Sequence, residues 1–171
     1  EMIRRLASGA LDLCFTASPV QLSPGFQSIE VVSDPFVVVA PAGQDLPDIV
    51  PMSMLAEVPL IGQPVSDTCQ IRISSGLIDG GVSPEYVFRT NDNAALQSMV
   101  REGMGLAVMP LLGVDIGDPK IVVRPMDPPI TPRTIGLVLP TDPSPIVRRF
   151  AEIAIEVCRE AVEALTSESD L

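Results

Sequence analysis

A chain of 171 residues with 46% hydrophobic and 19% charged residues is globular in composition and long enough for one domain or two small lobes. Its net charge of −11 excludes these residues as a grip on nucleic acid, which takes clustered Lys and Arg against phosphate. The lack of any histidine excludes Ser-His-Asp, Cys-His and histidine-bound zinc chemistry within them. Eighteen prolines and twelve glycines punctuate the apolar runs, which argues for many short connections. No run approaches the ~20 consecutive apolar residues that a membrane helix requires. Three cysteines at wide spacing fit a reducing cytoplasm better than a disulfide scaffold.

Residues 1–7 read as the inside of a helix with Met2, Ile3 and Leu6 on its apolar face, yet nothing upstream supplies a cap. The expectation is therefore a fragment. After Gly9, residues 10–15 form a buried strand with Thr16, Ala17 and Ser18 at its carboxyl end, the end that faces the ligand crevice in open α/β sheets. Residues 26–30 form an edge strand. Ser33-Asp34-Pro35 interrupts two β-branched runs, as where a chain leaves one lobe for another.

Residues 52–57 form a short helix and 58–61 a short strand, followed by the polar loop 62–68. Ser66, Asp67 or Thr68 caps a helix over 69–78 whose face is Ile71, Ser74, Ser75 and Ile78. Asp79-Gly80-Gly81 closes it, and 85–89 is a strand. Asn91, Asp92 or Asn93 opens the next helix, with Leu96, Met99, Val100 and Gly103 at helical spacing. Gly103 is its left-handed stop, residues 105–109 a strand buried on both faces, and Pro110 its end.

Beyond the loop 113–120, residues 121–123 are a strand, 126–132 a proline-rich return crossing and 134–139 a strand. Asp142-Pro143 starts the last helix, which sets Ile146, Val147, Phe150, Ile153, Ala154, Val157, Ala161 and Leu165 on one side. Arg148, Arg149, Glu152 and Glu156 form its solvated face. The acidic tail after Thr166 is expected to be disordered.

Val100-Arg-Glu-Gly-Met-Gly105 running into a strand that ends at Pro110 resembles the signature segment of LysR-type transcriptional regulators. Leu6-Ala-Ser-Gly-Ala-Leu-Asp-Leu13 resembles the L-x-x-G-x-L-D-L of their effector-binding domain, and the strands at 37–41 and 135–139 have counterparts there. The resemblance implies an α/β, type 2 periplasmic-binding-protein-like fold of two lobes joined by two crossover strands. It places residues 1–34 and 127–171 in lobe I and 35–126 in lobe II, with the family's first β-α-β unit and winged-helix DNA-binding domain missing.

The function it implies is ligand sensing. A small, anionic metabolite would bind in the inter-lobe cleft, through backbone N–H groups at helix starts and the polar loops beside them. The loops that line the family's cleft carry over Thr16, Ser18, Gln63, Pro64, Thr68 and Asn91 as ligand-binding residues, although capping and turn chemistry accounts for any one of them alone. The resemblance further implies no cofactor, no metal, no catalysis and no membrane partner. It implies a homodimer or tetramer of the full-length protein, DNA contact only through the absent N-terminal domain, and a cytoplasmic location. The alternative is an extracytoplasmic solute-binding protein of an uptake system. Cys69 sits at a helix start, where the dipole favours thiolate, and peroxide-sensing members use a cysteine in a similar place. The same helix offers no resolving thiol, so the plain reading is a small residue at a helix start.

Overall fold

The computed structural model describes residues 2–17 and 21–168, with the side chains of 163–168 left aside. In chain order the first half comprises α1 (Met2–Ala7), β1 (Cys14–Ala17), β2 (Phe26–Asp34), β3 (Phe36–Pro41), β4 (Val50–Pro51), a 3₁₀ turn (Met52–Ala56), β5 (Leu60–Gly62) and α2 (Thr68–Asp79). The second half comprises β6 (Tyr86–Arg89), α3 (Asn93–Arg101), β7 (Ala107–Pro110), a 3₁₀ turn (Leu111–Gly113), β8 (Ile121–Arg124), β9 (Met126–Asp127), β10 (Arg133–Pro140) and α4 (Pro145–Glu168). The chain divides into two compact units. The first takes residues up to Asp34 and again from Arg133 to Glu168, and the second takes Pro35–Pro132. Residues 127–132, expected with the first unit, lie with the second, because β9 pairs in parallel with β4 and Ile130 packs against Gly76 of α2.

In the first unit β10 runs between β1 and β2, antiparallel to both. Its side chains alternate as a strand must. Leu137 and Leu139 join Val31, Val147 and Ala151 under α4, and Val138 joins Leu6 and Cys14 under α1. β1 begins at Cys14 rather than at residue 10, so Thr16 and Ala17 lie inside the strand. β2 runs unbroken to Asp34, and only Pro35, which has no N–H for the ladder, stops it. α4 starts at Pro145, not at residues 142–143; the Ser144 carbonyl accepts the Arg148 N–H.

The apolar face expected for α4 is corrected too. Val147 and Ala151 are the buried pair, whereas Ile146, Phe150, Ile153 and Val157 are exposed. Two apolar stripes run along this helix, and a sheet of three strands reaches only one. Asp12 and Leu13 with Ile146, Val147 and Phe150 line an open groove of about 260 Å³ beside it. The helix continues past Thr166 to Glu168; the rest of the tail lies outside the described residues.

In the second unit β3 is the middle strand, antiparallel to β7 and β8. Phe36, Val38 and Ala40 face α2, packing with Ile73 and Leu77, while Val37 and Val39 face α3 with Leu96 and Val100. α2 is therefore rotated from its expected face: Gln70, Ile73 and Leu77 are buried, and Ile71 and Ile78 are exposed at 51% and 64%. β5 and β6 pair in parallel, and Leu60 bridges to Leu106 just ahead of β7.

The two glycines after α3 have separate duties. Gly103 follows the Glu102 C-cap with φ +74, the left-handed turn that only glycine enters without strain. Gly105 lets the chain pass the Pro59 carbonyl, where an added Cβ would lie 2.5 Å from the oxygen. That close pass allows the Leu106 N–H to donate to Pro59 O at 2.9 Å and the Ile61 N–H to donate to Leu106 O at 2.7 Å.

Candidate ligand-binding site

Because β5 and β6 are parallel, their carboxyl ends open on the same side of the second unit, and each leads through a short loop to a helix start. Asp67 caps α2, its Oδ1 accepting the N–H groups of Cys69 at 2.8 Å and Gln70 at 3.2 Å. Asp92 caps α3 in the same way, with Ala94 at 2.9 Å and Ala95 at 3.1 Å. These N–H groups were expected to bind an anion. Two N–H groups at each helix start are thus engaged by the protein's own carboxylate. Aspartate ahead of each helix satisfies two orphan donors and complements the dipole at once.

The mouth between the two helix starts is held by glutamine. Gln70, 2% exposed, accepts the Gln63 N–H at 2.7 Å and donates to Ser74 Oγ at 3.0 Å and the Tyr86 hydroxyl at 2.8 Å. Gln63 Nε2 donates to Asn93 Oδ1 at 3.0 Å, tying the α2 loop to the first residue of α3. Gln63 Oε1 is shielded from solvent with no donor. Gly62 is the seat of this arrangement, since a Cβ there would lie 2.6 Å from both Gln70 Oε1 and the Tyr86 ring.

Of the residues expected to contact ligand, Gln63, Pro64, Thr68 and Asn91 all fall at this mouth. Gln63 is built into it by hydrogen bonds, and the Pro64 carbonyl accepts the Asp67 N–H at 2.8 Å. Thr68 is the exposed first residue of α2, not its cap, and Asn91 is exposed ahead of Asp92. Thr16 belongs to the first unit, buried on β1 opposite Gly136, and its hydroxyl has no hydrogen-bond partner. Ser18 lies outside the described residues.

The expectations missed Gln70, Tyr86 and Arg89. Glutamine on a helix and tyrosine on a strand carry no local mark of a joint role. Only their convergence 16 residues apart reveals it.

Asp67 and Asp92 both serve as caps at this mouth. Among the described residues no group of three or more His, Cys, Asp or Glu side chains could hold a metal. Burial pushes the Cys14 thiol above its ordinary range, which keeps it protonated and a poor nucleophile at neutral pH.

A family model described as the LysR substrate binding domain matches residues 1–159. No curated protein matches the chain. Among solved structures, an OxyR C206 mutant from Corynebacterium glutamicum is similar at 19% identity and a TM-score of 0.76, over 99% of this chain and 54% of that one. The regulatory domain of CcmR from Synechocystis PCC6803, in complex with 2-PG, has 16% identity and a TM-score of 0.76 over 92% and 78% of the two chains. The effector-binding domain of QuiR in complex with shikimate has 18% identity and a TM-score of 0.73, over 93% and 77%. The chain thus spans about half the length of the OxyR structure. The shared fold is α/β and type 2 periplasmic-binding-protein-like.

Proposed function

The chain belongs to the LysR substrate-binding-domain family, and on that premise we propose that it is the ligand-sensing domain of a LysR-type transcriptional regulator. The family match over residues 1–159 carries the reading, because the fold alone serves extracytoplasmic solute-binding proteins as well. The glutamine-held mouth of the second unit supports it: polar groups gathered at the carboxyl ends of parallel strands suit a small molecule. Ligand binding would act by differential affinity for two arrangements of the regulator, shifting their populations. DNA contact in that regulator belongs to a part outside these 171 residues, consistent with a net charge of −11. The reading brings with it a cytoplasmic location, a homodimer or tetramer of the whole regulator, no catalysis and no cofactor. Among the described residues no helix is long and apolar enough to cross a membrane.

Gln63, Pro64, Thr68 and Asn91 are the proposed contacts in the second unit, and Thr16 and Ser18 those in the first. A thermal-shift screen of organic acids, amino acids, sugars and phosphorylated metabolites tests the reading. Stabilisation by a compact metabolite is expected, with saturation at micromolar to millimolar concentration. Thr68→Val should weaken that metabolite by about 1–3 kcal/mol through one lost hydrogen bond, while leaving unliganded stability nearly unchanged, since Asp67 carries the cap. If no compound shifts the midpoint, the sensing role is wrong; if the variant responds like wild type, Thr68 is not a contact.

A further inference from the structure

Asp67 and Asp92 put a carboxylate at each helix start, so an anionic ligand at this mouth gains from a countercharge on a side chain. Arg89 is that side chain. It is the last residue of β6, half-buried, and forms no ion pair among the described residues. Its guanidinium carbon lies 3.9 Å from the centroid of the Tyr86 ring, and its Nη1 donates to the Gln63 carbonyl at 2.7 Å. Stacking and one hydrogen bond fix the plane of the group and leave the remaining N–H donors of the fork without an acceptor among the described residues.

The parts that hold Arg89 are themselves held. The Tyr86 hydroxyl accepts from buried Gln70, Gln70 Oε1 accepts from the Gln63 N–H, and Gly62 is the only residue that fits between Gln70 and the Tyr86 ring. A chain of hydrogen bonds through two glutamines and a tyrosine therefore ends on a cation that pairs with no carboxylate among the described residues. A planar, oriented guanidinium matches the two oxygens of a carboxylate or phosphate, which an ammonium does not.

We propose that Arg89 is the oxyanion-recognition residue of the second unit, its fork taking the carboxylate or phosphate group of the effector. Gln63, Gln70 and Tyr86 are positioning residues that hold the guanidinium in place. The assignment rests on the effector-sensing reading, and its test does not require the effector to be known.

The whole chain, labelled with ¹⁵N, is titrated with sodium phosphate and in a separate series with sodium acetate. Sodium chloride holds the ionic strength constant, and the arginine side-chain Nε–H and the backbone amides are followed. Saturable shifts of the Arg89 Nε–H and of the Gln63 and Thr90 amides are expected in at least one series. The series that saturates tells a phosphate site from a carboxylate site. Arg89→Gln should weaken this binding about tenfold or more. Arg89→Lys retains the charge without the fork and should fall between the two, which separates recognition from a mere loss of folding. Shifts that never saturate in either series, or saturate unchanged in Arg89→Lys, would overturn the assignment. A metabolite that stabilises wild type and Arg89→Gln equally would leave the sensing role standing and remove Arg89 from it.

Discussion

Asp34 has no exposed surface, yet its Oδ2 takes two N–H groups of Arg133, Nε at 2.8 Å and Nη2 at 2.7 Å. The two residues are also register partners at the end of the β2–β10 ladder, where the chain leaves the first unit and returns to it. A buried pair of this kind adds little over two apolar residues, but removing one partner strands a charge away from water. Arg133→Ala should cost about 3–5 kcal/mol by urea unfolding monitored on the first unit, whereas Arg149→Ala, which breaks the exposed pair with Glu152, should cost under about 0.5 kcal/mol. Equal losses would show that the Asp34 pair is not the closure it looks to be. Nothing in the sequence near Asp34 announces this partner, because it stands 99 residues away. Thr68 and Asn91 were legible for the opposite reason: caps and turns are local, so their place beside helix starts follows from neighbours in the chain. Arg89 carried no such sign, since what makes it distinctive, Tyr86 beneath it and Gln63 beside it, exists only after folding.

At the scale of elements, glycine positions were the most readable feature. Gly103-x-Gly105 is a helix stop and then a backbone crossing: the first follows from φ +74 at Gly103, the second from the Pro59 carbonyl that a Cβ at Gly105 would meet. Gly105→Ala forces the backbone at Pro59 to retreat and should destabilise by about 1–3 kcal/mol, as overpacking does. Gly117→Ala, where a Cβ makes only an ordinary contact with Asp115, should stay within about 0.5 kcal/mol. Thermal midpoints of the two variants check the contrast, and parity between them would mean that the Pro59 crossing has slack. Helix faces were less readable. α2 carries apolar residues all round, at Ile71, Ile73, Leu77 and Ile78, so periodicity alone left two candidate faces, and β3 on the far side selected Ile73 and Leu77. α4 poses the same ambiguity, with Ile146, Phe150, Ile153 and Val157 forming a second apolar stripe beside the buried one. An exposed stripe this long is the kind of surface that marks contact with another molecule.

At the scale of the molecule, the order of elements was legible and the pairing of strands was not. The alternation of apolar runs and capped helices implied two α/β units, but which strand stands in the middle depends on pairing across most of the chain. That middle strand has a consequence for how the protein is made. β10 lies between β1 and β2, and Cys14 of β1 and its partner Val138 of β10 are separated by the whole second unit. A ribosome that releases the chain from its amino end exposes β1 and β2 long before the strand that joins them exists. The second unit, continuous in sequence, can close at once, whereas the first must wait and then close a very long loop. Pulsed hydrogen exchange during refolding should therefore protect the amides of β3, β7 and β8 ahead of those of β1, β2 and β10. Simultaneous protection of both sheets would show instead that the units fold as one. In the waiting interval the apolar side chains of β2 and β1 are open to any other edge strand nearby, so the hazard of misassembly belongs to the half of the protein whose sheet is finished last.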